Sequence, residues 1–212
     1  MKQKDKNQIS MDKIVNAAIV EFGKNGYDKA SINNICNDNN ISKGLIYHYF
    51  KNKDELFLFC VKLCFDSLVE YLVRENLKNE NFHHDIIRYL DLRNKFFKEN
   101  TYFSQIFFNV ILQPPAHLKD RIKTSRKDFD DLNINNYKEA LKKINLRDSV
   151  SEEEAVEFFY IFQEMFNSYF QLKAYENTDF ESLIESHEIK LSKLLNIMLY
   201  GIAKETKKDD HN

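Results

Sequence analysis

Residues 40–53 read NISKGLIYHYFKNK and combine cations, hydroxyl groups, an imidazole and a glycine at helical spacing. On a repeat of 3.6 residues from Ser42, one side of this stretch is polar and the other is apolar. The polar side holds Lys43, Gly44, Tyr47, His48 and Lys51. The apolar side holds Leu45, Ile46, Tyr49 and Phe50. Hydrogen-bond donors, positive charge and a position without a side chain are what close approach to a polyanion requires.

The residues before this stretch predict the helices that position it. Apolar residues recur at helical spacing from about Ser10 to Asn25, and Gly26 follows where a left-handed C-terminal cap would lie. Ser31 is expected to cap a short second helix, and Ser42 is expected to cap a third after the polar residues 37–40. Two short helices joined by a tight turn and preceded by a longer helix form a helix-turn-helix arrangement, whose second short helix enters the major groove of DNA.

Composition predicts an all-α protein. The 212 residues include only 4 Gly and 2 Pro, so turn-forming residues are scarce, and 43% hydrophobic residues are enough for a core. A net charge of −2 neither supports nor excludes a nucleic-acid partner, because a basic face can lie on a neutral chain. Three cysteines, no apolar leader at the start and no long apolar run lead us to expect a soluble, cytoplasmic protein with no membrane partner.

Beyond the third helix the pattern predicts long helices, about nine in total. Asn52 with Glu55 resembles a capping box that begins a long helix. Further helices are expected over residues 83–99 and 101–112, then, after two prolines, over 116–145. Two more capping-box patterns, Ser151 with Glu154 and Thr178 with Glu181, precede the last two helices, which are expected to form an antiparallel pair.

The segment GYDKASINNICNDNNISKGLIYHYFKNKDELF, residues 26–57, resembles the N-terminal domain of the tetracycline-repressor (TetR) family of transcriptional regulators. The resemblance implies a DNA-binding domain over residues 1–55 and a ligand-binding and dimerisation domain over 56–212. It implies DNA contacts at Ser31, Asn33, Ser42, Lys43, Gly44, Tyr47, His48, Tyr49 and Lys53. Cys36 and Asn40 stand where many members have alanine and glycine, but asparagine tolerates the left-handed backbone that the turn would need.

The same resemblance implies a homodimer that represses transcription from a palindromic operator and is released by a small-molecule effector. Apolar residues on the last two helices are expected at the dimer interface: Phe158, Phe162, Tyr169, Leu191, Leu195 and Met198. A hydrophobic or aromatic effector is expected in an apolar cavity lined by a subset of the aromatic residues and one cysteine. That subset is Cys64, Phe65, Phe103, Phe107, Tyr137 and Phe166.

Three other interpretations of the sequence compete with a DNA-binding regulator. Enzymatic activity is not expected, because no spacing typical of a catalytic, metal-binding or cofactor-binding site occurs. A redox-sensing regulator that uses Cys60 and Cys64 is the first alternative. A helical protein-interaction module is the second, and the salt dependence of binding separates it from a DNA-binding protein.

Overall fold

The computed structural model describes residues 3–75, 82–176 and 179–203. These ranges hold ten α-helices, one 3-10 turn at Ala116–Leu118 and no strand, which confirms the all-α prediction. The helices are α1 Gln3–Lys29, α2 Ile32–Asn39, α3 Lys43–Tyr49, α4 Lys53–Glu75, α5 Phe82–Glu99, α6 Thr101–Leu112, α7 Lys119–Ser125, α8 Lys127–Leu141, α9 Glu152–Tyr175 and α10 Phe180–Ile202. No helix in these ranges is both long enough and apolar enough to cross a membrane.

The chain divides into two compact units. The first comprises Met1–Val73 and Arg93–Asp130, and the second comprises Arg74–Leu92 and Asp131–Asn212. The first unit therefore contains α1 to α3, most of α4, and the segment that includes α6 and α7. The functional division between residues 1–55 and 56–212 stays a prediction.

Aromatic rings dominate the core of the first unit. Phe22 of α1 meets Phe57 of α4 edge to face, with ring centroids 5.0 Å apart. Further along α4, Phe65 contacts Phe107 of α6 at 5.3 Å. Such pairs add about 0.5–1.5 kcal/mol each to the free energy gained from burial. The residues of α4 are thus fixed against both α1 and α6.

Two backbone positions near the N-terminus have positive φ. Asn40 follows α2 with φ 50° and ψ 51°, the left-handed conformation that was expected at the turn. Gly26 has φ 65° and ψ −176°, so it is not the left-handed cap that the sequence predicted. It bends the chain through an extended conformation that essentially only glycine adopts, and three further helical residues follow it.

The predicted helix over residues 116–145 is wrong, since it consists of the 3-10 turn, α7 and α8, and ends at Leu141. Two adjacent hydroxyl groups bond to backbone carbonyls just before the break after Ser125. Thr124 donates to the carbonyl of Asp120 and Ser125 donates to the carbonyl of Arg121, each at 3.0 Å. Hydroxyls bonded four residues back compete for the carbonyls of the helix and bend it.

The second unit is built on α9 and α10. Ser151 and Glu154 form the predicted capping box at the start of α9. Asp179, which accepts from the backbone N–H of Ser182 at 2.9 Å, caps α10, while Thr178 of the predicted box lies outside the described residues. The two helices are antiparallel, as predicted. Residues near the start of α9 and residues near the end of α10 lie in one cluster of buried residues. That cluster is Leu90, Ile134, Tyr137, Ala140, Leu141, Ala155, Phe159, Leu195, Leu199 and Ile202.

Candidate nucleic-acid interface

Two serine caps and a left-handed asparagine shape the turn between α2 and α3. Ser31 accepts from the backbone N–H of Asn33 at 3.1 Å, and Ser42 accepts from that of Leu45 at 3.2 Å. Each cap satisfies a donor that the first turn of a helix leaves without a partner. Because both short helices begin at side-chain caps and Asn40 reverses the chain between them, the predicted helix-turn-helix is present.

The buried and exposed residues of α3 match the apolar and polar sides that the helical repeat of the sequence predicts. Ile46 is 1% exposed, and Phe50 directly after the helix is also buried. The side chain of Tyr47 is 46% exposed, and Lys43, Gly44 and His48 are exposed as well. The polar side of α3 therefore faces solvent, although contact with DNA stays a prediction.

Gly44 has open space beside its Cα atom. Among the described residues, a Cβ atom added to it would meet nothing within 4 Å beyond its chain neighbours and the backbone of its own helix. Glycine at such a position destabilises a helix by about 1 kcal/mol relative to alanine. Its presence on the exposed side is consistent with close approach of a partner's backbone.

Tyr49 and Lys53 are engaged with α1 rather than directed only outward. The Tyr49 hydroxyl donates to the carbonyl of Asn7 at 3.0 Å. The Lys53 ammonium lies 3.4 Å from the carbonyl of Asp28 and 4.3 Å from the ring centroid of Tyr27. Both groups are close to the protein's own backbone, so contact with a phosphate would require them to exchange or share these partners.

A buried carboxylate that sequence reasoning missed fixes the start of α2. Glu21 of α1 is 8% exposed and accepts from the backbone N–H of Ser31 at 2.9 Å and from the side chain of Asn34 at 3.0 Å. A negative charge at a helix N-terminus is also favoured by the helix dipole. The sequence does contain a signal of this buried carboxylate: Glu21 occupies an apolar position of the helical repeat that contains Ile14, Ala18 and Phe22.

Replacing Glu21 with alanine is expected to destabilise the protein by about 2–3 kcal/mol, since two hydrogen bonds to a charged acceptor are lost. Glu21→Gln is the matched control, because its amide oxygen accepts both hydrogen bonds and only the charge is removed. Thermal unfolding measures the difference. An alanine variant as stable as the wild type would show that the Glu21 contacts do not hold α2.

The residues predicted to line an effector pocket divide between the two units. Cys64, Phe65, Phe103 and Phe107 belong to the first, where the Cys64 thiol lies 3.3 Å from the carbonyl of Phe103. In the second unit, Tyr137 stacks on Phe159 at 4.2 Å, and Phe166 packs against Phe170 and His187. The effector pocket itself stays a prediction.

The second unit presents apolar side chains to solvent along α9 and α10. Among the predicted interface residues, Phe158 and Tyr169 are exposed, Phe162, Leu191 and Met198 are half-buried, and Leu195 is part of the buried cluster. Several exposed residues were absent from the predicted set, including Met165 at 68% and Ile197 at 66% exposure. The large apolar and aromatic residues exposed on α9 and α10 are Phe158, Tyr160, Ile161, Met165, Tyr169, Leu172, Tyr175, Ile189, Leu194, Ile197 and Tyr200.

The cysteines of α4 lie deep in the first unit. Cys60 and Cys64 are fully buried, and burial raises the pKa of both thiols, so the reactive thiolate is scarce at neutral pH. Among the described residues, no group of three or more His, Cys, Asp or Glu is placed to hold a metal ion.

We expect iodoacetamide to label Cys60 and Cys64 in the native protein about 100-fold more slowly than in urea-unfolded protein, because labelling requires the core to open. Mass spectrometry of quenched samples resolves the rate at each cysteine. Native and unfolded rates that agree within a few-fold would instead favour the redox-sensing alternative.

Comparison with known proteins agrees with this geometry. The family model described as bacterial regulatory proteins, tetR family, matches residues 14–59. The negative transcriptional regulator IcaR of the biofilm operon icaADBC from Staphylococcus epidermidis is 34% identical over 68 residues, which are 32% of this chain and 37% of that protein. IcaR from Staphylococcus aureus is 33% identical over 76 residues, which are 36% of this chain and 40% of that protein. The chain thus covers well under half the length of these relatives.

Solved structures extend the likeness to the whole fold. The regulator FadR from Bacillus subtilis, solved in complex with stearoyl-CoA, has a TM-score of 0.62 at 15% identity over 90% of this chain and 98% of that one. A TetR-family regulator from Agrobacterium tumefaciens has a TM-score of 0.63 at 15% identity, over 93% and 100%. Fold and site together define an all-α protein with an N-terminal helix-turn-helix. Residues 14–59 thus match the N-terminal domain of the TetR family of bacterial regulatory proteins, and the solved structures show the same fold over most of the chain.

Proposed function

We propose that this chain is a homodimeric, ligand-responsive DNA-binding regulator that represses transcription from a palindromic operator. The observation that carries the proposal is the exposed polar side of α3, with Lys43, Tyr47 and His48 around a glycine beside which the described residues leave open space. Lysine contacts phosphate or guanine, and tyrosine and histidine donate hydrogen bonds to phosphate or to base edges. The named function of the IcaR relatives, negative transcriptional regulation, supports the repressor assignment.

Dimerisation is proposed through α9 and α10. Exposed apolar residues recur along α9 at Phe158, Ile161, Met165, Tyr169 and Leu172, spaced three or four residues apart, so they form one stripe along the helix. Leu194 and Ile197 of α10 are also exposed and three residues apart. Two such helices from each subunit would pack as an isologous four-helix bundle. A dimer would present two α3 helices about 34 Å apart to successive major grooves.

A small hydrophobic or aromatic effector is proposed to release the operator. A ligand that binds more tightly to the conformation with wrongly spaced α3 helices must weaken DNA binding by the same factor, by linkage. The proposed contacts are those predicted residues that lie together in the first unit, Cys64, Phe65, Phe103 and Phe107. The stearoyl-CoA complex of the Bacillus subtilis neighbour supports testing acyl compounds among the first candidates.

Selection of genomic fragments by the purified protein tests this function. The protein is expected to retain a small set of fragments that share a palindrome, with affinity that falls steeply as salt rises. If only non-specific DNA is retained at every salt concentration, the regulator proposal is wrong. Salt-independent capture of a protein would favour the helical interaction module instead.

A further inference from the structure

A cleft of about 560 Å³ opens in the first unit beside the end of α3. Its walls come mainly from α1, from the turn between α3 and α4, and from one face of α4. The residues that line this α3–α4 cleft include Met11, Tyr49, Lys51, Leu58, Phe59 and Leu63. None of them is among the residues proposed to contact the effector, so the cleft is a separate site in the fold.

Contacts within the protein hold the walls of the α3–α4 cleft in place. The Tyr49 hydroxyl donates to the carbonyl of Asn7 at 3.0 Å, which ties the end of α3 to α1. The rings of Phe50 and Phe59 meet edge to face, with centroids 5.4 Å apart. Phe59 is still 38% exposed, although phenylalanine is mostly buried in folded proteins. A ligand would therefore meet a preformed apolar wall, as in most small-molecule sites.

The charges at the rim of the cleft select the class of ligand. The Glu55 carboxylate pairs with Arg121 at 2.8 Å. The Asp66 carboxylate pairs with Lys62, also at 2.8 Å. Lys51 is exposed, and in the described part of the chain no carboxylate pairs with it. One positive charge thus remains at the rim, and such a charge raises the local concentration of anions.

We propose that the α3–α4 cleft binds a small amphipathic anion, whose apolar body lies against Phe59 and Leu63 and whose carboxylate or sulfonate pairs with Lys51. The volume of about 560 Å³ falls within the range of roughly 300–1,000 Å³ that small-molecule sites occupy. The bound anion lies next to Tyr49, a proposed DNA contact, and competes there with operator phosphate. This competition rests on the proposed DNA-binding function, whereas the ligand site does not.

NMR of isotope-labelled methionine methyl groups locates the ligand without DNA. Met11 lines the cleft, whereas Met165 and Met198 lie on α9 and α10. Naphthoate is the probe, because its aromatic rings shift the signal of a methyl group beside them. In the full-length protein we expect a saturable shift of the Met11 signal, which the Met11→Leu variant assigns. A Met11 signal that stays fixed at millimolar naphthoate, or shifts only at Met165 or Met198, would overturn the proposal.

Two substitutions and a neutral probe test the proposed contacts. Lys51→Gln should weaken naphthoate binding about two- to fivefold, the factor that an exposed ion pair supplies, and Lys98→Gln on α5 is the matched control. Phe59→Ser should weaken it about tenfold by removing the apolar wall. Naphthamide has the same rings without charge, so it should bind the wild type and Lys51→Gln equally. Naphthoate affinities that are the same in the wild type, Lys51→Gln and Phe59→Ser would refute the site.

Operator affinity with and without naphthoate, at matched ionic strength, separates the ligand site from the DNA-binding function. Saturating naphthoate should lower the operator affinity of the wild type at least about threefold, the factor of one lost exposed ion pair. If the Met11 signal titrates as expected but no specific DNA is retained, the site stands and the DNA-binding function fails. If specific DNA is retained but the Met11 signal does not move, the site fails and the function stands. A shifted Met11 signal with unchanged operator affinity would overturn the competition.

Discussion

Replacing Lys43 and Tyr47 together with alanine is expected to lower operator affinity by about 100-fold or more. Each contact to a phosphate or base contributes about 1–3 kcal/mol, and a dimer loses both contacts twice. Both side chains are exposed on α3, and neither is part of the core, so stability should change little. Fluorescence anisotropy with labelled operator at fixed salt measures the loss, and a salt series should show a shallower slope for the variant.

The control for this variant changes the same residue types elsewhere. Lys98 and Tyr160 are exposed on α5 and α9, and Tyr160 is about as exposed as Tyr47. Lys98→Ala with Tyr160→Ala removes the same charge and ring area from surfaces outside α3. Equal operator affinities of the two double variants would contradict the role of α3.

Placing glutamate at Met165 and Ile197 is expected to convert the proposed dimer to a monomer and to abolish tight operator binding. Both residues are about two-thirds exposed in the single chain, so the charges remain solvated there. In a four-helix interface they would be buried without partners, which costs several kcal/mol for each charge. Analytical ultracentrifugation over a concentration series measures the change in mass.

A glutamate at Ile87 is the matched control, because this residue of α5 is an exposed isoleucine outside the α9 and α10 stripe. Ile87→Glu should leave the mass and the operator affinity unchanged. A wild-type protein that remains monomeric at micromolar concentration would contradict the proposed interface, as would a Met165→Glu, Ile197→Glu variant that still dimerises.

Local patterns predicted the helix-turn-helix well because its signals are short-range. Serine caps, a turn-forming asparagine and the alternation of apolar and polar sides act within a few residues of each other, and the structure contains Ser31, Ser42 and Asn40 in these roles. The conformation of Gly26 was mispredicted because a positive φ alone does not determine ψ.

Features that depend on distant residues could not be predicted from the pattern. The Tyr27 hydroxyl forms hydrogen bonds with Asp54 and with His117, which lies 90 positions further along the chain, and no local rule pairs these residues. Similarly, Leu195 and its neighbour Leu194 are both apolar, and only the packing shows that the first is buried and the second exposed.

The central claim is that two α3 helices of one dimer bind a palindrome, and hydroxyl-radical footprinting on a selected genomic fragment tests it most directly. The wild type is expected to protect two half-sites whose centres lie about one helical turn, or a multiple of it, apart. The Lys43→Ala, Tyr47→Ala variant should protect neither at the same concentration. Uniform weak protection along the fragment, unchanged in the variant, would contradict the account.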